Sequence, residues 1–167
     1  MPKHDLNIKT DWNIVVQSNI SLIWCQWALD PTYEKKTIGE LLVEFREKYK
    51  IDPLNIGSLI MAAYPLFVFP QQAEFNAINF SEIDLSSFTV TEGTNTTDPK
   101  RFCSRIRNSL AHARFKVEQN NISFYDQTKN GGDNFSASIS IQRFGSFINE
   151  FMLEVKNQFF LNEKTKS

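Results

Sequence analysis

Residues 107–112 read RNSLAH, with an arginine five residues and an asparagine four residues before a histidine. A histidine exchanges a proton near neutral pH. An arginine pairs with two phosphate oxygens and stabilises the charge that builds during phosphoryl transfer. An asparagine orients either partner or a water. Together Arg107, Asn108 and His112 suit RNA cleavage, in which the 2′-OH attacks the neighbouring phosphorus. That reaction needs no metal and no cofactor, because the nucleophile belongs to the substrate. The surrounding run RFCSRIRNSLAHARFKV, residues 101–117, holds five arginine or lysine residues and no carboxylate. Lys100, Arg101, Arg105, Arg107, Arg114 and Lys116 all fall between Asp98 and Glu118 with no acid among them. Net charge is −1, so any contact with nucleic acid must use such a local patch. Arg105, Arg101, Arg114 and Lys116 are the candidate RNA-binding residues, a phosphate track beside the cleavage centre. The plainer reading makes these charges a solvated face and His112 a helix cap.

Helical geometry constrains the set. At 100° per residue, Arg105 and His112 lie about 20° apart on one face, whereas Arg107 and His112 lie about 140° apart. Asn108 and His112, four apart, share a face. Ile106 and Leu110 point to the core. Both Arg105 and Arg107 therefore stand as candidates for the phosphate-binding arginine. Efficient cleavage needs a base and an acid, yet His112 is the one plausible catalytic histidine, because His4 lies in a polar N-terminal stretch. A twofold dimer would supply the second copy. Ser109 has no base beside it and is not read as a nucleophile.

The elements that position this group follow from periodicity. Asp98 and Pro99 form an N-cap and first-turn pair, which starts a helix over 99–112. Before it, residues 11–29 carry Trp12, Val15, Val16, Ile20, Ile23, Trp24 and Trp27 at helical steps, and Asp30-Pro31 ends the run. Thr37-Ile-Gly-Glu40 is a capping box that opens a helix over 38–49. A third helix from near Pro53 through LNIGSLIMAAYPLF is apolar almost throughout and reads as the central buried helix, kinked at Pro65. PQQAEFNAI adds a helical piece, and residues 80–97 read as loop. After the basic helix the period changes to two. ARFKVEQ and NISFYDQ are strands joined at Gln-Asn-Asn, TKNGGDN is a loop without phosphate-loop spacing, and FSASISI is a third strand. A long helix over 143–160 closes the chain, with Phe144, Phe147, Ile148, Phe151, Met152, Val155 and Phe159 on one side. The expected fold is mainly α: a bundle of four to five helices with a small antiparallel sheet or hairpin inserted before the last helix.

The totals agree with one domain over residues 1–167, with 1–9 and 162–167 flexible. Fifteen phenylalanines imply an aromatic-rich core or interface, and Trp12, Trp24 and Trp27 read as core or interface anchors. Cys25 and Cys103 are read as buried free thiols, with neither disulfide nor metal-ligand spacing. No apolar run reaches membrane-spanning length, and the polar start MPKHDLNIKTDW makes a cytoplasmic location the default.

The run RNSLAH resembles the Arg-x4–6-His motif of HEPN domains, in which a polar residue, often asparagine, follows the arginine. RIRNSLAHARF, followed by strands and ISFYDQ, resembles a bacterial and plasmid-borne branch of HEPN nucleases, most clearly over residues 98–151. The resemblance implies a HEPN-like bundle and metal-independent endoribonuclease activity in a homodimer whose two motifs share a cleft. It makes Arg107 the phosphate-binding arginine, Asn108 the polar helper and His112 the catalytic histidine, although Arg105 also satisfies the spacing. Members often act as toxins or in phage defence, so RNA and an antitoxin or regulatory protein are the implied partners. Non-catalytic HEPN-like modules that bind nucleotide, RNA or a protein are the competing class.

Overall fold

The computed structural model describes residues 8–53, 55–128 and 132–161. His4, the start of the expected flexible N-terminal stretch and the 162–167 tail lie outside the described residues. Contacts group the chain into two compact units, residues 1–61 and 62–167. Among the described residues there are six α-helices and one four-stranded antiparallel sheet, so the fold is mainly α. No helix among them is long and apolar enough to cross a membrane.

The first unit is built on α1 (Ile8–Ala28) and α2 (Ile38–Tyr49). The Thr37–Glu40 capping box forms as its sequence requires, with the Glu40 backbone N–H bonding the Thr37 hydroxyl and Glu40 accepting from the Thr37 N–H. Trp24 and Trp27 each meet the buried Phe45 edge-on at 5.3 Å, and Trp27 stacks on Tyr33. Two of the three tryptophans are thus packing residues; the Trp12 side chain lies outside the described set. Val16 of the expected stripe is exposed, and so is Cys25, contrary to the expectation of two buried thiols.

Helix α3 (Ile56–Phe67) runs through Pro65 and ends two residues later. It is not buried all round. Ile60, Ala63 and Phe67 are buried, but Met61 and Tyr64 are about half exposed, so only one stripe of this apolar sequence is covered.

The second unit explains the phenylalanines. From α3 onward come α4 (Gln72–Asn76), β1 (Thr89–Glu92), α5 (Pro99–Ala111), β2 (Phe115–Glu118), β3 (Asn121–Gln127), β4 (Asn134–Ser140) and α6 (Ile141–Lys156), which continues as a π-helical turn to Leu161. The sheet order is β1-β4-β3-β2. Ile122, Phe124 and Asp126 of β3 and Phe135, Ala137 and Ile139 of β4 alternate onto one buried face. Helices α5 and α6 cover that face: Phe102 meets Phe135 and Phe144 meets Phe124, both at 5.3 Å. Phe67, Phe75, Phe80, Phe147 and Phe151 extend the same cluster, with Phe67 and Phe151 stacked at 4.4 Å. Met152 and Phe159 of the expected α6 stripe remain exposed.

The sheet is not wholly an insertion before the last helix. Its strand β1 lies in the stretch expected to be loop and precedes α5. It pairs with β4 through Thr89–Ser138 and Val90–Ala137.

Candidate functional site

Helix α5 begins as its sequence dictates. Asp98 caps it through the Lys100 N–H, with Pro99 in the first turn, where no intrahelical N–H is needed. Its end is the less ordinary part. His112 is the C-cap, and Ala113 follows in the left-handed region at φ 51°. The Ala113 N–H donates to Leu110 O at 3.2 Å and the Arg114 N–H to Ser109 O at 2.7 Å. These two bonds make a Schellman closure, a motif that usually places glycine where this chain has alanine. The chain then turns directly into β2. His112 is left exposed, and its side chain has no hydrogen bond among the described residues.

Arg107 leans away from the sheet toward the segment after α3. Its Nε donates to Phe67 O at 2.9 Å and Nη2 to Pro70 O at 3.1 Å, while Nη1 donates to Gln72 Oε1. Its guanidinium carbon lies 5.2 Å from the centre of the Phe75 ring. Three of the five N–H groups are engaged; two are left for another acceptor.

Arg105 takes a different part from the expected phosphate ligand. It is only 9% exposed. Its Nη1 donates to Asp126 Oδ2 at 2.9 Å, and Nη2 pairs with Asp133. The helical arithmetic placed it on the face of His112, but that part of the helix faces the sheet. Asp126 also accepts from Asn108 Nδ2 at 3.0 Å and stands 3.4 Å from Arg114 Nη1. Arg101 reaches Asp133 at 2.5 Å, beside the Thr94 hydroxyl. Partial burial pushes the Asp133 carboxyl up, but hydrogen bonds from Arg101 and Thr94 and the charge of Arg105 outweigh it and hold the carboxyl below its ordinary value.

The patch that looks free of acid in the sequence is therefore largely neutralised in space. Arg101, Arg105 and Arg114 face Asp126 and Asp133, which leaves one net positive charge in the cluster. Lys116 pairs with Glu118, and Lys100 bonds the carbonyl of Asn76. Arg101 and Arg114 side chains keep 40% exposure and Lys116 keeps 60%. Ser109 is fully buried, and its hydroxyl lies 2.8 Å from Arg105 O and 2.7 Å from Tyr125 O, both carbonyl acceptors. The Cys103 thiol is pushed strongly up by burial, then by the charge of Asp98, and so stays a neutral packing group. No group of metal-ligating side chains occurs among the described residues.

Asp126 and Asp133 join the site from outside the basic run. One signal for Asp126 was present: in NISFYDQ it shares the alternating buried face with Ile122 and Phe124, an acid in an apolar row.

Comparison with family models matches HEPN pEK499 p136 over residues 3–160, nearly the whole chain. The chain belongs to this plasmid-borne HEPN family. The match reaches well beyond residues 98–151, where the motif resemblance is clearest, and it includes all six helices. Comparison with the curated proteins gave no match, and comparison with the solved structures gave none either. HEPN domains are commonly ribonucleases and often bind RNA and dimerise.

Proposed function

We propose that this HEPN chain is a metal-independent endoribonuclease. The observation that carries the reading is the end of α5. There His112 stands exposed at the helix terminus, Asn108 lies one turn before it, and Arg107 keeps two N–H groups uncommitted. Arg105 is committed to two carboxylates, so Arg107 takes the phosphate role and Arg105 supports the scaffold.

In the proposed reaction the 2′-OH attacks the adjacent phosphorus while a base takes its proton. The bond from phosphorus to the 5′-oxygen breaks as an acid supplies a proton to the leaving oxygen. The products are a 2′,3′-cyclic phosphate and a 5′-OH. One exposed histidine among the described residues supports a homodimer in which His112 of one copy is base and that of the other is acid. Arg107 steadies the charge on the phosphorane oxygens. The half-exposed Arg101, Arg114 and Lys116 are the proposed phosphate track. The family match spans both compact units, which supports reading the chain as one HEPN-like domain. A plasmid-borne family fits a role as a toxin or phage-defence effector held in check by an antitoxin or regulatory protein.

The competing reading is a non-catalytic module that binds nucleotide, RNA or a protein. It draws on the three donors Arg107 spends on Phe67, Pro70 and Gln72, which a purely structural arginine would also spend.

The deciding experiment is cleavage of a mixed RNA pool in EDTA by the wild type and by His112→Ala. Cyclic phosphate ends from the wild type, and none from the variant, support the enzyme. Equal cleavage by both removes His112 from the mechanism, and no cleavage by either favours the binding module.

A further inference from the structure

The proposed site leans on a buried carboxylate from outside the motif. Asp126 is 5% exposed and lies at the end of the apolar row of β3. Its Oδ2 takes two side-chain donors, Arg105 Nη1 at 2.9 Å and Asn108 Nδ2 at 3.0 Å. A carboxylate held by an arginine offers only acceptors, so the amide of Asn108 must turn its nitrogen inward. The oxygen of that amide then points away from Asp126. No side chain or backbone donor among the described residues meets it. One turn on, the backbone N–H of His112 donates to the Asn108 carbonyl at 3.0 Å, which places the two side chains on neighbouring positions of one helix face.

We propose that Asp126 is a positioning residue that fixes Asn108 with Oδ1 outward, making the motif asparagine a hydrogen-bond acceptor for the ring N–H of His112. Asn108 then orients the imidazole and does not donate to the phosphate. A free asparagine would exchange its two ends at little cost. Here the exchange would set an amide oxygen against a buried carboxylate, and the low-dielectric setting makes that costly. This inference rests on the ribonuclease reading above and assigns its polar helper a single chemical sense.

The test uses the full chain and follows steady-state cleavage of a labelled RNA. Asp126→Ala and Asn108→Ala are each expected to lower kcat by roughly 10- to 100-fold, with KM within about twofold, because orientation acts on the reacting state. The double variant is expected to fall no further than either single one, since both remove the same orientation. The conservative variant Asp126→Asn can set its amide oxygen where Oδ2 stands and so still accepts from both Arg105 and Asn108. It is expected to keep most of the wild-type kcat. Asn108→Asp, which sets two carboxylates face to face, is expected to be low. Additive losses, or an Asp126→Asn protein no better than Asn108→Asp, overturn the proposal and leave the ribonuclease reading standing. A wild type that cleaves no RNA overturns both. Should Asp126→Ala fail to fold, as a thermal melt would show, the comparison of Asp126→Asn with Asn108→Asp decides alone.

Discussion

Arg105 Nη1 and Asp126 Oδ2 lie 2.9 Å apart, an ion pair between helix α5 and the end of the inner strand β3 with both side chains nearly closed to water. An arginine in the basic run thereby becomes a fastening between the motif helix and its platform. Truncating one partner of such a pair leaves the other charge buried, at a cost of about 3 kcal/mol. Arg105→Ala should lose that much in urea unfolding. Arg101→Ala, whose pair with Asp133 is far more open, should lose less than about 1 kcal/mol. Equal losses would remove Arg105 from its structural role.

Arg107 is held by its fork geometry. Lysine offers a point charge and cannot address two carbonyls and an amide oxygen at fixed angles. Arg107→Lys should therefore reduce RNA cleavage by about 100-fold despite the retained charge, the scale expected for losing a transition-state donor. Cleavage at the wild-type rate by a stably folded Arg107→Lys protein would assign this residue to net charge alone.

Ala113 carries a left-handed backbone directly after His112. A side chain there costs about 1–2 kcal/mol, partly offset by the greater freedom glycine gives the unfolded chain, about 0.4–1 kcal/mol. Ala113→Gly should raise the melting temperature by about 1–3 °C on the scale for a chain of this length. A lower melting temperature would show that the alanine methyl is needed for packing.

The lowered pKa of Asp133 ties stability to acid. Its folded value lies below the unfolded one, so the contribution is complete above the unfolded carboxylate value, about 3.9. It is lost as pH falls through the folded value. The wild type should therefore lose stability more steeply below about pH 4 than Asp133→Asn does. Parallel curves from urea unfolding across pH 2–6 would refute the linkage.

Local signals in the sequence proved the most readable part of the fold. Asp98-Pro99 and Thr37/Glu40 mark helix starts that form through the bonds their chemistry provides, and the change of period after His112 marks β2 and β3. Strand β1 escaped because all four of its residues are exposed, so TVTE shows no apolar alternation and sits among Ser, Thr and Asn. The covered and open sides of α3 were equally hidden, since Met61 and Tyr64 are as apolar as the residues they flank. At the site, RNSLAH and its helix end were legible, whereas the true state of the basic patch was not. The acids that neutralise it come from 21 and 28 residues beyond Arg105, brought back by a hairpin that no local pattern could place.

The strand order carries a last consequence. In β1-β4-β3-β2 the two outer strands are those that precede and follow α5, so the connection that contains this helix joins one margin of the sheet to the other, and the helix itself packs mainly on β3. Its 13 residues measure about 20 Å, and the three gaps between four strands span about 14 Å. The helix is therefore longer than the sheet is wide. His112 ends the helix three residues before the outer strand β2, so that strand fixes how far the histidine can stand from the sheet. A residue added to or removed from α5 would swing His112 by about 100° and pull the sheet off its register at the same time. Variation in this protein should accordingly collect in the chain on either side of that helix, and the length of the helix itself should be held.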